Sequence, residues 1–165
     1  MSRGFVKEDD LELAGTDLPE RPISEHPNYV TPFGLKQLQA YEQQLLDQRE
    51  SLAKISEDPT ATQKLAMVER DLRYVQNRLE QAILVKPEDK PSETVVFGAS
   101  VTVVDEHGDV HLFHIVGEDE ADLSVNKVSY VSPLAKALIG HRVGENVVWR
   151  RPAGNLNLEI TQIHY

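Results

Sequence analysis

At 165 residues, 40% of them hydrophobic and with a net charge of −10, the chain has room for one or two small domains and no large core. It holds no cysteine, which excludes disulfides, thiolate metal sites and a cysteine nucleophile, and fits a reducing compartment such as the cytoplasm. The charge divides as −4 over residues 1–30, 0 over 31–86 and −6 over 87–165, so nucleic acid is expected only indirectly, through a protein partner with basic surface or a bound cation.

No apolar run approaches the ~20 residues of a membrane span, and the start, MSRGFVKEDD, lacks the apolar stretch of a secretory signal. A membrane partner is not expected. Residues 1–30 are acidic and broken by Pro19, Pro22 and Pro27, with no periodic apolar face, and read as a flexible tail whose Phe5, Val6 and Leu11 could dock on a partner.

Thr31 before Pro32 is a helix start, because Thr caps the free amides and Pro at the first helical position loses nothing. A helix is predicted from 32 to about 56, with Leu38, Leu45 and Leu52 recurring every seven residues and Gln48 breaking the seam. A second begins near Thr60 or Ala61 and carries Leu65, Val68, Leu72, Val75, Leu79 and Ile83 at 3-4 spacing until Pro87 ends it. Leu52 and Leu65, Leu45 and Leu72, and Leu38 and Leu79 are mirror-related about Asp58 and Pro59, as an antiparallel helical hairpin (a coiled coil) over 31–86 requires. Isolated helices of this length are marginal in water, so each must bury its seam. The neighbouring helix is the nearest candidate, which makes the chain a monomer; dimerisation through the arm is the alternative.

Residues 87–94, with Pro87 and Pro91, read as a linker. The pattern then turns to β-branched alternation: a bent strand or strand pair over 95–105 with Gly98 at the bend, a turn at His107-Gly108-Asp109, and a strand over 110–116. The acidic run Glu118, Asp119, Glu120, Asp122 reads as a solvated loop, lacking the ligand spacing of a calcium loop. A short strand from Lys127 to Val131 leads to Ser132, which caps a helix starting at Pro133 and stopping at Gly140. Strands from Asn146 to Arg151 and from Leu156 to His164 flank the Pro152-Ala153-Gly154 turn. The fold class is therefore α+β, an N-terminal helical hairpin followed by a domain (95–165) of antiparallel sheet plus one helix.

Several separated stretches in this order carry a resemblance: NYVTPFGLKQL at 28–38, VVFGASVTVVD at 95–105, FHIVGEDEAD at 113–122, VSPLAKALIGHRVGENV at 131–147 and PAG at 152–154. From Tyr29 to Tyr165 the chain resembles the bacterial Gre-type transcript-cleavage and elongation factors, the GreA/GreB family. The resemblance implies an FKBP-like C-terminal domain that docks on RNA polymerase, with the stretch matching Ser132, Pro133 and Leu134 meeting the rim helices, and a helical arm directed at the secondary channel. Val131 departs from the polar residue that often precedes that Ser-Pro.

The arm's turn departs further. Cleavage-promoting members carry a motif like D-L-S-E-N-A-E-Y, and this chain has Ile55-Ser56-Glu57-Asp58-Pro59-Thr60. By the same alignment the arm is about two helical turns shorter, or ~10 Å. Glu57 and Asp58 are candidate ligands for Mg²⁺ at the polymerase active site, since oxygen donors at a rigid turn suit that ion; in the competing reading Asp58 caps the second helix or shapes the turn and Glu57 is solvated. No cofactor of the chain's own is expected. His107, His111 and His114 invite a zinc site, but alternation places His111 and His114 on opposite faces of one strand, so a surface or packing role is the default.

The expectation is thus an accessory factor of RNA polymerase that is not itself an enzyme. One version blocks or modulates channel access without promoting cleavage, like the short-armed regulator of nucleoside diphosphate kinase in the wider family. A reading from another class is a prolyl isomerase or chaperone. Against it, Phe97, Phe113, Tyr130, Trp149 and Tyr165 are the aromatics of this domain and several are needed for its core.

Overall fold

A computed structural model describes residues 18–55, 58–86 and 93–165. The chain divides into two compact units: residues up to Pro27 together with Lys36–Ala82, and Asn28–Leu35 together with Ile83–Tyr165.

The first unit is built on two helices of 22 residues each, α1 (Pro32–Ala53) and α2 (Pro59–Glu80). The Thr31 hydroxyl accepts from the Gly34 amide at 2.9 Å and Pro32 occupies the first helical position, so α1 starts where its capping chemistry dictates. Leu38 and Leu45 on α1 and Ala61, Val68, Leu72 and Val75 on α2 are buried, while Leu52, Leu65 and Leu79 are half-buried. Burying one such leucine contributes about 1.5–3 kcal/mol, which is what holds helices too short to persist alone. Gln48, the break in the heptad, is exposed.

Both helices end earlier than the sequence suggests, α1 at Ala53 and α2 at Glu80. Ile83, expected in the seam, lies instead in a strand and is 47% exposed. The cause is a backbone competitor that periodicity does not reveal. Strand β1 (Tyr29–Val30) pairs in parallel with β2 (Ile83–Leu84), and the Asn28 and Val30 carbonyls accept from the Ile83 and Val85 amides at 2.8 and 2.9 Å. Residues 28–30, read as tail, are therefore held in the second unit, together with 31–35, which contain the first turn of α1.

The second unit carries a five-stranded sheet of β3 (Ser100–Asp105), β4 (Val110–Val116), β5 (Lys127–Ser129), β6 (Asn146–Trp149) and β7 (Leu156–His164), in the order β5-β4-β3-β7-β6. Alternation sends Val101, Val103, Phe113, Ile115, Leu156, Leu158 and Ile160 into one core, closed by Leu134, Ala135 and Leu138 of the short helix α3 (Pro133–Leu138). The sheet is mixed and not wholly antiparallel: β5 runs parallel to β4, because the connection from Gly117 to Asn126 crosses over before β5 rather than folding back as a hairpin. Gly98 supplies the expected bend with φ +89°. Gly117 answers a different need, since a Cβ there would lie 2.3 Å from the Tyr29 carbonyl oxygen. The missing side chain admits β1 against the start of the crossover.

The linker expected at 87–94 lies outside the described residues over 87–92; Thr94 already bridges to Arg142 within the second unit. Among the described residues no helix is long and apolar enough to cross a membrane.

Candidate functional site

The candidate residues fall in two places, one in each unit. In the first, α1 frays through Lys54 and Ile55, whose amide donates to the Leu52 carbonyl at 3.1 Å. Asp58 is the cap of α2: one carboxylate oxygen accepts from the Thr60 amide at 2.9 Å and its carbonyl accepts from the Thr62 amide at 3.1 Å. Pro59 follows at the first helical position. One of the two oxygens that Asp58 could offer a cation is therefore engaged in capping. Glu57, its proposed companion, lies outside the described residues. Ile55, at the end of α1, is 54% exposed.

In the second unit, the stretch at 132–134 separates into three roles. The Ser132 hydroxyl accepts from the Ala135 amide at 3.2 Å, the geometry of an N-cap. Pro133 is exposed. Leu134 is 4% exposed and belongs to the core, so its side chain fixes the loop from beneath, Ser132 is half-buried and Pro133 is the exposed member of the three.

A feature that sequence reading placed in solvent proves to be buried. Glu120, read as part of an acidic loop, is 6% exposed. Its carboxylate accepts from the Thr31 hydroxyl through one oxygen and pairs through the other with the Lys127 ammonium at 3.2 Å. That ammonium also lies 4.1 Å from the centre of the Phe33 ring. A Cβ on Gly34 would meet the Glu120 carboxylate at 2.6 Å, so this glycine lets the first turn of α1 close onto the acid. The signal lay in the composition of TPFG at 31–34: a cap, an aromatic and a glycine in one turn, each of which meets this network.

The three histidines do not converge, and no group of three or more His, Asp or Glu among the described residues could hold a metal ion. His111 instead places Nε2 at 2.8 Å from an oxygen of Asp105, and the other Asp105 oxygen accepts from the His107 and Asp109 amides at 2.8 and 3.0 Å. The aspartate thus organises the turn between β3 and β4. The hydrogen bond from His111, followed by those from the two amides, holds the Asp105 carboxyl below its ordinary range. A depressed carboxylate stabilises the fold fully above about pH 4 and loses that contribution as pH falls through the folded value. Asp105→Asn is therefore expected to show a stability deficit, measured by urea midpoints, that is constant above pH ~5 and narrows below pH ~4. A deficit unchanged down to pH 2 would contradict the pairing.

Tyr29, Phe97 and Tyr130 form a triad with centroids 5.3 to 5.9 Å apart, and Phe113 meets the Trp149 ring edge-on at 5.7 Å.

Comparison with known proteins reaches both units. Residues 90–165 match the family model described as "Transcription elongation factor, GreA/GreB, C-term". The chain is 33% identical over 157 residues to the transcription elongation factor GreB of Neisseria meningitidis serogroup B, a match covering 86% of this chain and 96% of the relative. It is 32% identical over 154 residues to the transcription elongation factor GreA of Syntrophobacter fumaroxidans, covering 88% and 99%. Among solved structures, GreA factor homolog 1 of Thermus thermophilus aligns over 85% of this chain and 100% of its own, at 24% identity and a TM-score of 0.41.

Proposed function

Because the chain belongs to the GreA/GreB family of transcription elongation factors, we propose that it is an accessory factor of bacterial RNA polymerase that regulates elongation and has no active site of its own. The observation that carries this reading is the extent of the likeness. A match over 86% of the chain and 96% of a GreB relative is too long to come from the C-terminal unit alone. In this reading the C-terminal unit binds the rim helices of the polymerase with Pro133 at the contact, the helical arm is directed at the secondary channel, and the protein works as a monomer in the cytoplasm.

We further propose that the arm modulates access to the channel and does not promote transcript cleavage. Holding a second, exchangeable Mg²⁺ at the polymerase site needs several oxygen ligands on a rigid turn. This turn has Ile55-Ser56-Glu57-Asp58-Pro59-Thr60 in place of the acidic motif, and Asp58 caps a helix. The test is cleavage of backtracked transcript by purified polymerase. The chain alone is expected to change the rate less than twofold, whereas in tenfold excess over a cleaving relative of equal affinity it should lower that relative's stimulation about tenfold by mass action. Robust stimulation abolished by Glu57→Ala with Asp58→Ala would reverse the assignment.

A further inference from the structure

The second unit carries a pocket of about 370 Å³ whose lining residues all belong to that unit, a volume at the lower end of the ~300–1,000 Å³ of small-molecule sites. Its walls are apolar: Phe33 from the first turn of α1, Val85 just past β2, Val96 and Phe97 ahead of β3, and Tyr165. Two of them, Phe33 at 54% and Val96 at 38% exposure, are large hydrophobic side chains left uncovered. Each aromatic wall is held by a residue that does not line the pocket. Tyr29 and Tyr130 pack on Phe97 with ring centroids 5.9 and 5.6 Å away, the Tyr165 hydroxyl donates to the Thr94 carbonyl at 2.6 Å, and the Lys127 ammonium lies 4.1 Å from the centre of the Phe33 ring. Walls already fixed in this way lose little freedom when a ligand enters.

The polar lining sets the charge of the occupant. Ser100 on β3 and His114 on β4 stand opposite each other in the strand register, so their side chains share one face of the sheet. Lys86 adds an ammonium. All three are hydrogen-bond donors, and among the described residues none of their side chains is engaged in a hydrogen bond or ion pair. No acid lines the pocket, in a chain whose net charge is −10. We propose that this pocket binds an aryl carboxylate, its ring against the aromatic walls and its carboxylate toward Lys86, Ser100 and His114. A neutral arene would cover the walls but offer these donors no charged acceptor. A wholly polar anion such as phosphate would satisfy the donors and leave the walls wet. An aromatic ring with one carboxylate answers both halves of the lining.

The test is titration of the full chain with 2-naphthoate, followed by backbone amide chemical shifts. The expected result is saturable one-to-one binding with a Kd of about 1 mM or tighter, with the Ser100 and His114 amides among those that shift, and binding of the neutral 2-naphthamide about tenfold weaker. Lys86→Met, at an exposed side chain, is expected to weaken 2-naphthoate about fivefold and to leave 2-naphthamide unchanged. Val96→Glu places a like charge in the pocket at a side chain already 38% exposed, and should weaken 2-naphthoate at least tenfold at an unchanged Tm. Equal affinity for the acid and the amide, 2-naphthoate binding indifferent to Lys86→Met, or no saturation by ~10 mM would each overturn the proposal.

Discussion

Lys127→Ala is expected to destabilise the protein by about 3 kcal/mol, the lower end of the 3–5 typical of breaking a buried ion pair. The partner left behind is the reason. Glu120 has a side chain 3% exposed, and Lys127, itself 22% exposed, is the cation on its second oxygen. Without it the carboxylate keeps the Thr31 hydroxyl on the other oxygen and has little water to replace the ammonium. The partial exposure of Lys127 is why the lower end of the range applies. Replacing both members, Glu120→Gln with Lys127→Met, should recover more than half of the loss, because a neutral amide can still accept from Thr31 and the methionine stem fills the lysine's path over Phe33. Urea unfolding measures both. A single-variant loss under 1 kcal/mol would show the pair to be solvated in solution.

The second large effect concerns binding. Pro133→Glu is expected to weaken association with RNA polymerase at least tenfold, or about 1.4 kcal/mol, while leaving the fold intact. The two expectations separate because of how the 132–134 stretch is built. Ser132 caps α3 and Leu134 lies in the core, so changing either would confound contact with stability. Pro133 is exposed at the first helical position, where a glutamate is favoured by the helix dipole. An unchanged Tm with unchanged affinity would remove this loop from the interface.

The elements that sequence revealed best are those fixed by local chemistry. Thr31-Pro32 and Ser132-Pro133 each mark a helix start because a capping oxygen followed by a proline suits the first turn, whereas α2, expected to begin near Thr60 or Ala61, starts at Pro59 behind the Asp58 cap. The β3–β4 turn at His107-Gly108-Asp109 was legible for the same reason. What depended on distant backbone was not. The end of α2 is set by pairing with Tyr29–Val30, more than fifty residues away in sequence, and periodicity alone carried Ile83 into the helix. Arg78, 1% exposed, shows the limit of the seam pattern in the same turn, where the apolar Leu79 is only half-buried. Glu120 looked like one of four solvated acids because its hydroxyl and ammonium partners come from positions 31 and 127. At the candidate site, sequence identified Asp58 as both possible ligand and possible cap, and the Thr60 amide on its carboxylate supports the cap.

The account rests on attachment of the C-terminal unit to the transcription machinery, and the direct measurement is binding of the purified full chain to bacterial core RNA polymerase at low salt, followed by fluorescence anisotropy. The expected result is saturable one-to-one binding that Pro133→Glu weakens and that deletion of the arm turn, residues 52–65, leaves largely in place. Absence of association at micromolar concentrations would contradict the account.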